Sequence, residues 1–194
     1  MPYLSHSYYS TLADISKHVG PLNLEMLGKV CEAVLGALSY LYLQHRIIHR
    51  DLRPCKIILN SRGEIKLRGL GTSKHLDSSL VSTMVGSPIY MAPERITGER
   101  YDAKSDTWSF GMTVLELTVG RYPYDIPSNG PQGSHDRLGM VDLLTKIVRG
   151  PPPQILTSSV IPQNLYDLIE NCLRRNPDQR PYAYELMVNI QSIA

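Results

Sequence analysis

The sequence predicts a mainly α-helical domain with one small β-hairpin, and three patterns point that way. From Leu24 the apolar positions Leu24, Leu27, Cys31, Val34, Leu38 and Leu41 recur at spacings of three and four, as one face of a long helix requires. Residues 104–119 are apolar nearly all round, the pattern of a helix at the centre of a domain. Between them lie two β-prone runs, Ile57, Ile58 and Leu59, then Ile65 and Leu67. The residues separating them, Asn60, Ser61, Arg62 and Gly63, have the composition of a turn.

At 194 residues with 42% apolar side chains, the chain has the size of one domain and enough apolar material for a core. Its net charge is +2, with basic residues scattered singly or in pairs, so neither nucleic acid nor an anionic membrane is expected as a partner. Cys31, Cys55 and Cys172 are odd in number and lack metal-ligand spacing, which predicts free thiols in a reducing compartment. The apolar runs 30–43 and 108–119 are short for a bilayer and contain Glu32 and Glu116. The opening MPYLSHSYYS lacks the basic start and apolar run of a signal peptide, so a cytoplasmic location is expected.

In chain order, the first helix is expected from Leu24 to about residues 44–46, and the hairpin follows. Residues 69–93 mix glycine, serine and threonine with few periodic apolar positions, which predicts an irregular surface segment, and long loops of this type are often functional. The central helix comes next. Pro123, Pro127 and Pro131 then break the pattern, and 127–135 is linker-like. A helix over 140–148 is ended by Pro151, Pro152 and Pro153, and two more are expected over 165–173 and 184–193. Trp108, Tyr40, Tyr42, Tyr122 and Tyr124 fall at spacings suited to packing, whereas sequence spacing names no partner for His45 or Arg46.

Three motifs stand in a telling order: HRDLRP at 49–54 before the hairpin, APE at 92–94 after the irregular segment, and SDTWSFG at 105–111 opening the central helix. Together they resemble the C-terminal lobe of a protein kinase. The segments GSPIYMAPERITGERYDAKSDTWSFGMTVLELTVGRYPY and MVDLLTKIVRGPPPQIL are similar to MAP kinase kinases, above all the fungal mating-pathway type. The resemblance implies one kinase-like domain over 1–194, the C-terminal lobe of the α+β kinase fold, with a hinge at about 1–12 and an activation segment at 69–94. It also implies that the N-terminal lobe is missing, with its glycine-rich loop, strand lysine and helix glutamate.

Position by position, the resemblance places Asp51 as the proton acceptor and Arg53 where the family has a phosphate-contacting lysine, a planar fork replacing a compact ammonium. Lys56 stands at the magnesium-binding asparagine, and an ammonium has three donors and no lone pair for a cation. Gly69, in GLG, replaces the metal-binding aspartate of DFG and supplies no side-chain oxygen. Ser79 and Thr83 match the two activation-loop phosphorylation positions, with Arg50 as the cation that would pair with a phosphate. Ser87 matches the threonine that hydrogen-bonds the catalytic aspartate, and it keeps the hydroxyl. His49 matches a loop brace, Glu94 and Arg180 a buried ion pair, and Asp106 an acceptor of catalytic-loop amides.

Phosphoryl transfer depends on positioning and charge neutralisation, so the loss of both metal ligands predicts a pseudokinase that needs no cofactor. The expected role is a binding module for MAP kinase pathway proteins: an upstream kinase, a MAP kinase or a scaffold. The alternative is a fragment of an active, ATP- and Mg2+-dependent dual-specificity MAP kinase kinase. A third reading is a decaying gene product whose cut face exposes apolar surface. The Lys56 ammonium could also stand where a metal sits and touch a nucleotide without one.

Overall fold

Thr11 and Asn23 start the first two helices by capping them. The Thr11 hydroxyl accepts the Asp14 N–H at 3.1 Å and the Asn23 side chain accepts the Met26 N–H at 2.9 Å, which satisfies amides that a first turn leaves without partners. α1 spans Leu12–Val19 and α2 spans Leu24–His45. The computed structural model describes residues 9–75, 86–124, 139–153 and 161–187.

α2 ends as expected, at Arg46 in a left-handed conformation with φ 52°. Its 22 residues contain an 18-residue window of mean hydropathy 1.3, long and apolar enough to cross a membrane by length and composition, which the run 30–43 alone is not. Here Leu27, Val30, Cys31, Val34, Leu35 and Leu38 are instead buried in the protein core. α1 was not anticipated. Its signal was the Thr11-x-x-Asp14 cap together with Leu12 and Ile15, and only Leu12 is buried.

The hairpin forms where expected, from β3 (Ile57–Asn60) and β4 (Ile65–Leu67), with Ile57 opposite Leu67 and Leu59 opposite Ile65. β1 (Tyr9–Thr11) adds a third antiparallel strand on the far side of β3, a partner fifty residues away that local pattern does not reveal. A second ribbon joins β2 (Ile47–Ile48) to β5 (Lys74–His75). The segment expected to be irregular therefore begins with order, because the backbone of β2 supplies the hydrogen bonds.

α3 is a single turn, Pro93–Ile96, and α4 spans Lys104–Val119 as expected. Trp108, Phe110, Met112, Val114, Leu115 and Leu117 are buried on its several sides, so the rest of the domain packs around it. α5 spans Met140–Arg149, α6 Gln163–Cys172 and α7 Ala183–Met187. α6 starts two residues before the expected position, directly after Pro162. Residues 127–135, and those of the last expected helix beyond Met187, lie outside the described residues.

α4 and α6 meet closely at Gly111, where an added Cβ would lie 2.5 Å from Cys172 Cβ. Cys31, Cys55 and Cys172 are free thiols. Burial pushes Cys31 up to about 12 and raises Cys172 as well, so neither forms thiolate readily near neutral pH.

Candidate active site

The loop after β2 is held from below by α4. The N–H groups of His49 and Arg50 donate to the Asp106 carboxylate at 2.7 and 2.9 Å. Asp106 lies in the first turn of α4 and is buried, and that burial raises its carboxyl against the pull of the two N–H groups. Arg95 Nη1 adds a hydrogen bond to the Arg50 carbonyl at 2.9 Å. Arg50 itself takes φ 68°, rare for a residue with a side chain, and its Nε donates to the Thr72 carbonyl at 2.6 Å.

His49 is fully buried. Its Nε2 lies 3.1 Å from the Arg68 carbonyl, which can only accept, so Nε2 carries the hydrogen and Nδ1 accepts the Asp51 N–H at 3.3 Å. One tautomer accounts for both contacts. The ring thus spends both nitrogens inside the protein.

The Asp51 side chain is only 5% exposed, and three donors surround its two oxygens. Oδ1 accepts from Arg53 Nε at 3.1 Å and from the Ser87 N–H at 3.1 Å. Oδ2 faces Lys56 Nζ at 3.0 Å. Burial works against the charged carboxylate, but the Lys56 hydrogen bond, the Ser87 N–H and the two cations outweigh it, holding Asp51 below the ordinary carboxylate range. The sequence reading expected the Ser87 hydroxyl at this position, whereas the contact seen is made by its backbone N–H. Gly86 makes that approach possible: it has φ 111°, and an added Cβ would fall 2.6 Å from the Arg50 carbonyl.

Gly69 faces Lys56. An added Cβ there would lie 3.0 Å from Lys56 Cδ, 3.2 Å from Nζ and 3.4 Å from Cε, so the lysine side chain fills the space over the glycine. Farther down, Arg180 makes a two-pronged pair with Glu94, Nη1 to Oε1 at 2.7 Å and Nη2 to Oε2 at 3.1 Å, and both residues are buried. His45 meets Tyr40 edge-on at 5.1 Å, and Arg46 sits over the Tyr42 ring.

The sequence that builds this braced loop aspartate and buried Arg–Glu pair matches a family model, the protein kinase domain, over residues 2–189. The chain belongs to that family. It is 44% identical over 183 residues to the mitogen-activated protein kinase kinase MST7 of Pyricularia oryzae, covering 94% of this chain and 44% of that protein. It is 39% identical over 179 residues to mitogen-activated protein kinase kinase 1 of Arabidopsis thaliana, covering 91% and 49%. It is 33% identical over 222 residues to the dual specificity protein kinase FUZ7 of Mycosarcoma maydis, covering 91% and 51%. The chain thus spans about half the length of the curated relatives it matches.

Protein kinases use ATP with Mg2+ held by an aspartate and an asparagine. Mg2+ requires oxygen ligands, and beside Asp51 this chain places the Lys56 ammonium and Gly69, whose side chains offer none. Among the described residues no group of three or more His, Cys, Asp or Glu side chains converges on a point. The residues present do not fit the metal. Ser79 and Thr83 lie outside the described residues, while Arg50 Nη1 is buried with no hydrogen-bond partner among them.

Sequence reasoning did not foresee the Asp51–Lys56 pair, the Lys56–Gly69 contact or the role of Arg95. Only the loop positions of Arg53 and Lys56 hinted at the first. The other two join residues thirteen and forty-five positions apart, beyond any periodicity.

Proposed function

We propose that this kinase domain acts as a binding module and does not transfer phosphate. The supporting observation is the crowding of Asp51: Arg53, Lys56 and the Ser87 N–H take three of the about four acceptor sites of its carboxylate, and a substrate hydroxyl would have to share Oδ2 with the Lys56 ammonium. The two metal positions add to it, because without a divalent ion the charge that develops on the phosphates goes unneutralised. No ATP or Mg2+ requirement follows from such a site, and the Lys56 ammonium is already committed to Asp51 Oδ2.

The module corresponds to a kinase C-terminal lobe over 1–194, with a hinge at about 1–12 and an activation segment at 69–94. Its partners, on this reading, are cytoplasmic MAP kinase pathway proteins: an upstream kinase acting on Ser79 and Thr83, a MAP kinase, or a scaffold. The similarity to relatives named as MAP kinase kinases supports that class of partner.

The test is phosphate transfer from radiolabelled ATP to a MAP kinase, with an Asp51→Ala chain as the control. Equal label in both is the expected result. Label that depends on Asp51 would overturn the proposal and favour the second reading, part of an active dual-specificity MAP kinase kinase. That reading draws on the printed names of the relatives and on the half-length match.

A further inference from the structure

We infer that Lys56 and Gly69 form one unit, a tethered cation lying in the space its glycine partner leaves open, so that a divalent-ion site returns only when both positions change together. The inference rests on the reading above that this site holds no metal.

Two independent contacts carry it. Lys56 Nζ is anchored on Asp51 Oδ2 at 3.0 Å, and the same nitrogen would be 3.2 Å from a Cβ at position 69. The lysine backbone is itself fixed, its N–H donating to the Arg53 carbonyl at 2.8 Å and its carbonyl accepting from the Arg68 N–H at 2.9 Å. The side chain therefore crosses Gly69 from a pinned root to a pinned tip. Any side chain at 69 must push it aside by at least a few tenths of an ångström, and φ 99° there strains residues other than glycine as well.

Charge leads to the same dependence. With Asp51, Arg53 and Lys56 the cluster is net positive and repels a divalent cation. Changing Lys56→Asn alone leaves it neutral, and the single change Gly69→Asp does the same while forcing the new carboxylate against the ammonium. Only the double change makes the cluster net negative and supplies three oxygen-bearing side chains to a hard cation.

The experiment compares the native chain, Lys56→Asn, Gly69→Asp and the double variant for Mn2+ binding, read from the loss of the free-ion paramagnetic resonance signal. The double variant is expected to bind at least about tenfold more tightly than either single one. Equal binding by Gly69→Asp and the double variant would overturn the inference, as would a cooperatively folding double variant that binds no better than the native chain.

A second cycle needs no metal. Gly69→Ala is introduced into the native chain and into Lys56→Ser, so that backbone strain is common to both and cancels. A smaller fall in Tm in the serine background supports the shared space, and equal falls overturn it. Phosphate transfer by the native chain would instead sink the binding-module reading while leaving this cycle measurable, so the two failures are told apart.

Discussion

Replacing Arg180 with leucine should test what holds the lower half of this domain together. The guanidinium is 1% exposed and makes five hydrogen bonds: two to Glu94, at 2.7 and 3.1 Å, and one each to the carbonyls of Arg174 at 2.9 Å, Lys104 at 3.0 Å and Arg175 at 3.2 Å. It thereby ties α3, the start of α4 and the segment after α6. Arg180→Leu removes all five and leaves the Glu94 carboxylate, 4% exposed, without its counter-ion. Losing one partner of a buried pair costs about 3–5 kcal/mol. Domains have about 5–15 kcal/mol in total, so the variant should be close to unfolding. At this size Tm should fall by roughly 6–20 °C, measured by circular dichroism, with urea unfolding giving the free energy. Arg180→Lys keeps a charge but not the planar fork, so it should fall between the two. A loss below about 1 kcal/mol for Arg180→Leu, with unfolding still cooperative, would refute the assignment of this pair as a structural tie.

Asp106→Asn puts an amide donor against one of two backbone donors, so it should cost about 1.5–3 kcal/mol. The His49 and Arg50 amides should then exchange hydrogen faster, and unchanged protection would contradict the brace. Gly111→Ala should destabilise by about 1–3 kcal/mol despite alanine's better helix propensity, because the new methyl meets Cys172 and Leu173. A raised Tm would show that α4 and α6 have room to part. Because Asp51 is held below the ordinary carboxylate range, its contribution to stability is present above about pH 4 and lost as pH falls through the lowered value. The stability gap between the native chain and Asp51→Asn, followed by urea unfolding, should narrow on acidification, and a constant gap would show that the clamp is not electrostatic.

Much of the fold could be read along the chain. The bounds of α4 and the end of α2 follow from apolar spacing, and the hairpin from β-prone runs around Asn60 and Gly63. α1 was missed because one buried leucine makes too weak a periodicity, and β1 and β5 because short strands take their identity from a distant partner. At the site, His49, Asp51 and Asp106 were all legible as residues of a kinase motif. The identity of the atom from Ser87 that reaches Asp51 was not, since it depends on how Gly86 turns the backbone.

The side chains at 56 and 69 answer one question without any fold: an ammonium and a hydrogen atom offer a magnesium ion no lone pair wherever the chain puts them. Chemistry of that kind belongs to the residue. Folding settles a different question, which groups come to share a volume. That Lys56 lies across Gly69 and closes on Asp51 follows from the strand, turn and loop that bring positions 51, 56 and 69 together. No local spacing carries such a contact, because it is created by the packing of segments that the sequence keeps apart.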